Sequence, residues 1–309
     1  MERENQFIGQ SGAFLDAVER ASRAAPMRRP VLVIGERGTG KELIAERLHR
    51  LSTRWDEPLV VMNCAALPET LIEAELFGHE AGAFTGATRS RAGRFEEADK
   101  GTLFLDELGT LSMGAQERLL RAVEYGEVTR IGSSRPIRVD CRIVAATNED
   151  LPAKAERGEF RADLLDRLSF EVIQVPPLRE REGDIAVLAG HFLEEFAREI
   201  PAFRGKTLSA IAIAELLAYR FPGNVRELKN IIERAVALSR GTTIEVGSLP
   251  ETLLRPPEVN YSCQIPAEGV NLEDLVDNYE RALLTEAMRS SGGVKKRAAK
   301  LLGISFRSF

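Results

Sequence analysis

Gly35-Glu36-Arg37-Gly38-Thr39-Gly40-Lys41-Glu42 follows the apolar run Val31-Leu32-Val33-Ile34 and leads directly into a helical pattern. Its three glycines permit backbone angles closed to other residues, so successive N–H groups can turn inward around phosphate oxygens at a helix N-terminus. Lys41 would reach the β- and γ-phosphates of a nucleotide. The position after such a lysine normally supplies a hydroxyl to Mg²⁺; Glu42 stands there, so the metal must depend on water and on a distant acid. That acid is found at the end of Thr102-Leu103-Phe104-Leu105-Asp106-Glu107, a short buried-type strand. Asp106 would hold Mg²⁺ through water and Glu107 would polarise the water that attacks the γ-phosphate. Each group alone has a structural alternative, a glycine turn before a helix or a solvated strand end. Strand, loop, helix and acidic strand in this order favour the nucleotide site.

Four further groups carry two readings each. Thr147-Asn148 follows the apolar stretch Cys141 to Ala146 and either begins a turn or senses the γ-phosphate. Arg161 and Arg167 flank Asp163, which lies four residues before Arg167. This is an intrahelical ion pair on a solvated face, or a pair of arginine fingers that place charge on a transferring phosphoryl group. In Phe221-Pro222-Gly223-Asn224-Val225-Arg226-Glu227-Leu228, Asn224 reads as an N-cap with Glu227 three residues on, a variant of the capping box. Arg226 in that first turn is a surface charge or a contact to phosphate. Gly82-Ala83-Phe84-Thr85-Gly86-Ala87 has neither helical nor strand period; without context Phe84 is best placed in the core, and otherwise at the tip of a mobile loop.

The elements that must position these residues form an α/β pattern. Helical periodicity runs from Ile8 to Ala25 and stops at Pro26; a helix continues from Lys41 toward Arg50, and Leu59 to Met62 reads as a strand. Ser112 to Glu124 is helical, Glu127 to Arg130 and Ile137 to Val139 form a hairpin about Gly132-Ser133-Ser134, and Phe170 to Val175 is a strand ending at Pro176-Pro177. Trp55, the one tryptophan, stands among polar residues and reads as a ring folded back onto the domain in preference to an exposed contact for a partner. The chain is divided into an α/β nucleotide-binding subdomain over residues 1–175, a helical lid over 176–250, a polar linker over 251–271 and a helix-turn-helix segment over 272–309. Val294 to Leu302 is its basic helix, Gly303 its turn, and a second helix from Ser305 has barely begun at Phe309, so that segment reads as incomplete.

At 29% charged and 44% hydrophobic residues the composition is that of an ordinary globular protein. No apolar run is long enough to span a bilayer and the first residues lack a signal-peptide profile, which places the protein in the cytoplasm. The three cysteines and three histidines form no metal spacing and read as structural. The net charge of −5 conceals an asymmetry: residues 289–309 hold six basic residues and no acid, so any contact with nucleic acid falls to that end.

With Glu75-Leu76-Phe77-Gly78-His79-Glu80 in front of Gly82 to Ala87, the chain resembles the AAA+ activators of σ54-dependent transcription, the bacterial enhancer-binding proteins. Residues 35–42, 75–87, 101–108, 160–168, 176–182 and 221–230 all fit that family, over about residues 5 to 250 and more weakly in the tail. The resemblance implies an AAA+ P-loop fold with a parallel sheet sandwiched by helices, and hydrolysis of ATP with Mg²⁺. It carries Asn63 over as the polar switch partner of Glu107, Thr147 and Asn148 as sensor I, and Arg226 as the sensor II arginine. Arg161 and Arg167 become fingers acting on a neighbouring subunit's nucleotide in a homo-hexamer. Gly82 to Ala87 becomes the contact to σ54 through which the closed polymerase complex is opened, and the terminal segment the contact to enhancer DNA. Because no receiver domain precedes the ATPase, control is expected from an inhibitor protein in trans, with the segment around Trp55 as its contact. Two other classes compete: an AAA+ machine with another substrate, such as a helicase or chelatase subunit, and a DNA-binding regulator for which ATP is a ligand and not a fuel.

Overall fold

The computed structural model describes residues 7–250, Leu253 and a subset of residues 272–305. Five strands form one parallel sheet: β1 (Val31–Ile34), β2 (Leu59–Asn63), β3 (Thr102–Asp106), β6 (Arg142–Thr147) and β7 (Glu171–Gln174), in the order β2-β3-β6-β1-β7. The central strands β1, β3 and β6 are near-continuous apolar runs buried along their length, as a sheet covered on both faces requires. β2 lies at the edge and leaves Val61 exposed. Register aligns the carboxyl ends: Ile34 lies opposite Thr147, and Asn63 opposite Asp106. Every residue that follows those ends therefore meets at one rim of the sheet, where parallel sheets bind ligands.

Helices α1 (Gly12–Ala24) and α2 (Lys41–Arg50) pack with β1, β7 and the inner strands in one apolar core. A second core joins α3 (Glu69–Phe77), the single turn α4 (Arg94–Glu97), α5 (Met113–Tyr125), α6 (Leu151–Glu156) and α7 (Ala162–Leu168) to the other face. Between α5 and β6 the strands β4 (Glu127–Thr129) and β5 (Pro136–Arg138) form the expected antiparallel hairpin. Arg142, buried on β6, donates to the carbonyls of Ala24, Ala25 and Leu48 and so holds the ends of α1 and α2. Burial pushes its guanidinium down to about 10, opposed by no carboxylate.

A third core gathers residues from Leu178 to Leu253 around α8 (Asp184–Glu199), α9 (Ala210–Ala218) and α10 (Asn224–Leu238), with the short pair β8 (Thr207–Leu208) and β9 (Thr243–Ile244) beside them. Ile8 packs against this core. Further along, the described positions of residues 272–288 are helical, and α11 (Lys295–Leu301) is the expected basic helix, followed by a turn at Gly303 with φ +67°. The expected linker over 251–271, apart from Leu253, and the helix after Ser305 lie outside the described residues.

Four expectations are corrected. α1 begins at Gly12 and not at Ile8, because Asp184 accepts the N–H groups of Gln10 and Ser11 and holds that stretch extended. Asn224 does not cap α10: it is the first helical residue, at φ +52°, and Glu227 accepts from the N–H of Gly223. Asp163 pairs with Arg161, at 2.7 Å, and not with Arg167, which reaches Glu124 on α5 at 2.7 Å. Trp55 is 68% exposed, since the neighbouring Arg54 is the residue that turns inward, onto the carbonyls of Lys100, Gly101 and Asp140.

Candidate nucleotide site and the exposed loop

The glycine-rich turn leaves β1 with its first N–H tied to the sheet, Gly35 donating to the carbonyl of Thr147 at 3.1 Å. Gly38 and Gly40 adopt φ +75° and +97°, and α2 starts immediately afterwards at Lys41. Thr39 donates its hydroxyl to the carbonyl of Glu36, closing the turn. Lys41 is buried, and its Nζ donates to the carbonyls of Gly35 and Glu36 at 2.9 and 3.2 Å. Burial lowers its affinity for a proton, while the charges of Asp106 and Glu107 oppose that effect and those of Arg226 and Arg37 add to it. The lysine thus lies in the field of both acids at β3's end, in a fold that the strand register imposes.

Asp106 accepts the N–H of Glu107 through Oδ1. Glu107 stands at φ +55°, in the left-handed region, with its carboxylate largely buried and 3.4 Å from Nε of Arg37. The pairing expected with Asn63 is not formed, because Asn63 Oδ1 accepts the N–H of Ala65 at 2.8 Å in a local turn. Thr147 is buried and its hydroxyl accepts from the N–H of Glu149, whereas Asn148 beside it is exposed at the same rim.

A cavity of about 620 Å³ opens over the turn. Gly38, Thr39, Gly40, Lys41, Glu42 and Asp106 line its polar end, and Arg226 and Lys229 reach it from α10. Its apolar end is formed by Ile8, Phe14, Leu188 and Phe192, residues that no motif marks. They are brought in by the buried pair Arg181–Asp184, 2.8 Å apart, which fastens the extended residues 8–11 to α8; Arg181 also lies over the ring of Phe14 at 3.8 Å. Burial pushes the Asp184 carboxyl up, but hydrogen bonds from Gln10, Arg181 and Ser11 outweigh it and hold the group below the usual carboxylate range. The sequence signal for this wall is the apolar stripe of α8, which by itself reads only as core. Glu36 does not line the cavity; its carboxylate turns to Arg179 and Asn224. Arg161 and Arg167 do not line it either.

The residues 82–87 lie away from this cavity. They form consecutive turns, with Gly82 donating to the carbonyl of Ala87 at 2.7 Å and Gly82 and Gly86 at φ +82° and +101°. Phe84 is 39% exposed and not in the core; its ring rests against that of His79 at 5.0 Å. Thr85 is exposed at the tip. Below the tip, His79 bridges to Arg91 and to Ile131, and Arg130 forks onto Glu96 at 2.8 and 2.7 Å while reaching Glu80 at 3.2 Å. The hairpin turn between β4 and β5 therefore carries the base of the loop, with Gly132 pressed against Ala83.

Residues 7–174 match the family described as the Sigma-54 interaction domain, 179–262 an AAA+ ATPase lid domain, and 276–309 the bacterial regulatory proteins of the Fis family. The chain is 50% identical to the Psp operon transcriptional activator of Escherichia coli K12, over 100% of this chain and 97% of that one. It is 46% identical to the nitric oxide reductase transcription regulator NorR2 of Cupriavidus necator, covering 97% of this chain and 60% of the relative. Among solved structures, NtrX from Brucella abortus in complex with ATP superposes with a TM-score of 0.76 at 30% identity, over 98% of this chain and 67% of the other.

Proposed function

Because the chain belongs to the σ54-interaction family of AAA+ ATPases, with an AAA+ lid and a Fis-type segment, we propose that its hydrolysis of ATP drives residues 82–87 against σ54. The closed promoter complex of the polymerase is thereby remodelled to the open one. The observation that carries this reading is the separation of two sites in one α/β unit: a lysine and two acids gathered at the strand ends, and an exposed, turn-built loop carried by a hairpin outside the parallel sheet.

In this reading Gly35 ties the turn to the sheet, Glu36 to Gly40 present N–H groups to the phosphates, Lys41 neutralises the β- and γ-oxygens, and Glu107 orients and polarises the attacking water. The donor set fits Mg²⁺: Asp106 is the one carboxylate of β3 lining the cavity beside Lys41, and no described group of three His, Cys, Asp or Glu side chains could cage a metal alone. A cation there would share its shell with phosphate oxygens and water, and when bound it neutralises charge on the transferring phosphoryl group. Asn63 would exchange its local turn for Glu107 when Arg37 lets go of that carboxylate. Asn148 reads the γ-phosphate, and Arg226 reaches it from the lid. Arg161 and Arg167, which pair with Asp163 and Glu124 and do not line their own cavity, act on a neighbour's nucleotide, which requires a ring, taken as a hexamer.

Residues 82–87 then contact σ54, with Phe84 and Thr85 at the tip. α11, with Lys295, Lys296, Arg297 and Lys300, supplies the cationic face for enhancer DNA. Trp55, exposed on an anchored turn, is the contact for an inhibitor protein in trans. The work is done in the cytoplasm; among the described residues no helix is long and apolar enough to cross a membrane.

The test is capture of σ54 in the presence of ADP and a γ-phosphate transition-state analogue. Wild-type protein is expected to retain σ54 only with the analogue. Thr85→Ala should hydrolyse ATP at nearly the wild-type rate and capture nothing. Loss of both functions together in Thr85→Ala would overturn the division of labour.

A further inference from the structure

We propose that Glu36, Arg179 and Asn224 form a clasp that fastens the lid to the phosphate loop and sets Arg226 against the nucleotide; the proposal rests on the reading of Arg226 given above. A carboxylate in a phosphate-binding turn is out of place on charge alone. Glu36 is turned aside: Arg179 forks onto it at 2.9 and 2.6 Å, and Asn224 donates Nδ2 to the same carboxylate at 3.0 Å. The Arg179 hydrogen bonds, then that of Asn224, hold the Glu36 carboxyl below its usual range, so it stays ionised and engaged.

Asn224 makes this more than a surface ion pair. Glu36 and Arg179 are each about two-fifths exposed, and such a pair alone is worth little. Asn224 is fully buried and stands at φ +52°, a backbone state that costs free energy unless the surroundings require it. Its amide also donates to the carbonyl of Arg37 at 3.0 Å, and its Oδ1 accepts the N–H of Leu178 at 2.7 Å. One side chain thus joins the phosphate loop, the chain entering the lid and the start of α10. Beside it, the N–H groups of Val225 and Arg226 both point at the carbonyl of Gly38, at 3.0 and 3.4 Å. A Cβ on Gly38 would collide with the carbonyl oxygen of Gly223. Arg226 is therefore anchored through its backbone to the loop it serves, and a shift of the loop around phosphate is passed to α10.

The experiment is binding of a slowly hydrolysed ATP analogue to the full chain carrying Glu36→Gln, Asn224→Gly, Arg226→Ala, or either of the first two combined with Arg226→Ala. Glycine accepts the φ of Asn224 without strain, and Glu36→Gln alters a partly exposed group, so thermal melting can establish that each variant is folded. Glu36→Gln and Asn224→Gly are each expected to weaken binding about three- to tenfold. Adding Arg226→Ala to either should cost clearly less than it costs the wild type, because Arg226 is already displaced. Undiminished, multiplicative losses would overturn the proposal, as would wild-type binding by folded Glu36→Gln and Asn224→Gly. If Arg226→Ala alone binds normally while Glu36→Gln does not, the clasp stands as a fastening of the loop and the reading of Arg226 is what fails.

Discussion

Two glycine-rich loops carry the proposed chemistry, and they use glycine for different reasons. At Gly35 and Gly38 the need is space: a Cβ on Gly35 would lie 2.9 Å from the carbonyl oxygen of Val175, and one on Gly38 would strike Gly223. At Gly82 and Gly86 nothing stands within 4 Å of such a Cβ, and the need is only for positive φ. The glycine-rich loop is gripped by Val175 just past β7, by the start of α10 and by the sheet through Thr147. The exposed loop is built from its own turns and held at its base, chiefly by Arg130 on Glu96 and Glu80. A fixed loop suits a site that must hold phosphate oxygens to within tenths of an ångström. A loop with a free tip suits a part whose position changes with nucleotide state.

The contrast is broken most severely at Lys41. Lys41→Ala should lower ATP turnover by about a hundredfold or more, the scale of losing a positioned charge at a phosphoryl centre. Thr85→Ala at the other loop should leave turnover nearly intact; a steady-state ATPase assay of both variants decides. Next in size is the stitching of the gripped side. Asp184→Asn removes the partner of buried Arg181 and should cost about 3 kcal/mol of stability, read by denaturant unfolding.

Glycine replacements sharpen the comparison directly. Gly38→Ala should destabilise by about 2 kcal/mol or more, from φ and collision together, and weaken nucleotide binding. Gly86→Ala should cost only about 1 kcal/mol, from φ alone, and spare nucleotide binding. Unfolding midpoints for the two test whether space or conformation matters at each.

The smallest effect is expected at the base of the exposed loop. Arg130's hydrogen bonds hold the Glu96 carboxyl below its usual range, against the opposing effect of burial. A carboxylate lowered on folding stabilises fully above its unfolded value, and that stabilisation is lost as pH falls through the folded value. Glu96→Gln should therefore melt lower than wild type at neutral pH, by about 1 kcal/mol, with the gap closing under acid. Analogue-dependent σ54 capture should fall while turnover persists.

Much of this molecule is legible in its residues taken a few at a time. The turn at Gly35 to Lys41, the acidic end of β3, the hairpin and the residues 82–87 all follow from local rules. Glycines mark forbidden angles, apolar runs mark buried strands, and a patternless stretch with two glycines marks a loop. Those features depend on residues within a few positions of one another.

The amino-acid order alone therefore specifies the succession of strand, glycine-rich loop and helix, the lysine and acids proposed to serve it, and the existence of a loop outside the helical and strand periods. The choice of partners belongs to the fold. Asn224 carries every local sign of an N-cap, yet its amide is spent 188 residues away, on Glu36. Residues 8–11 continue a helical period but are drawn straight by Asp184, more than 170 residues on. Trp55 reads locally as a folded-back ring, and Arg54 takes the inward place. In each case a short-range preference worth about 1 kcal/mol is outweighed by a buried or multiply bonded contact that the local pattern does not contain. Such a contact cannot register in a short window of sequence, because its energy exists only once the fold has brought both ends together.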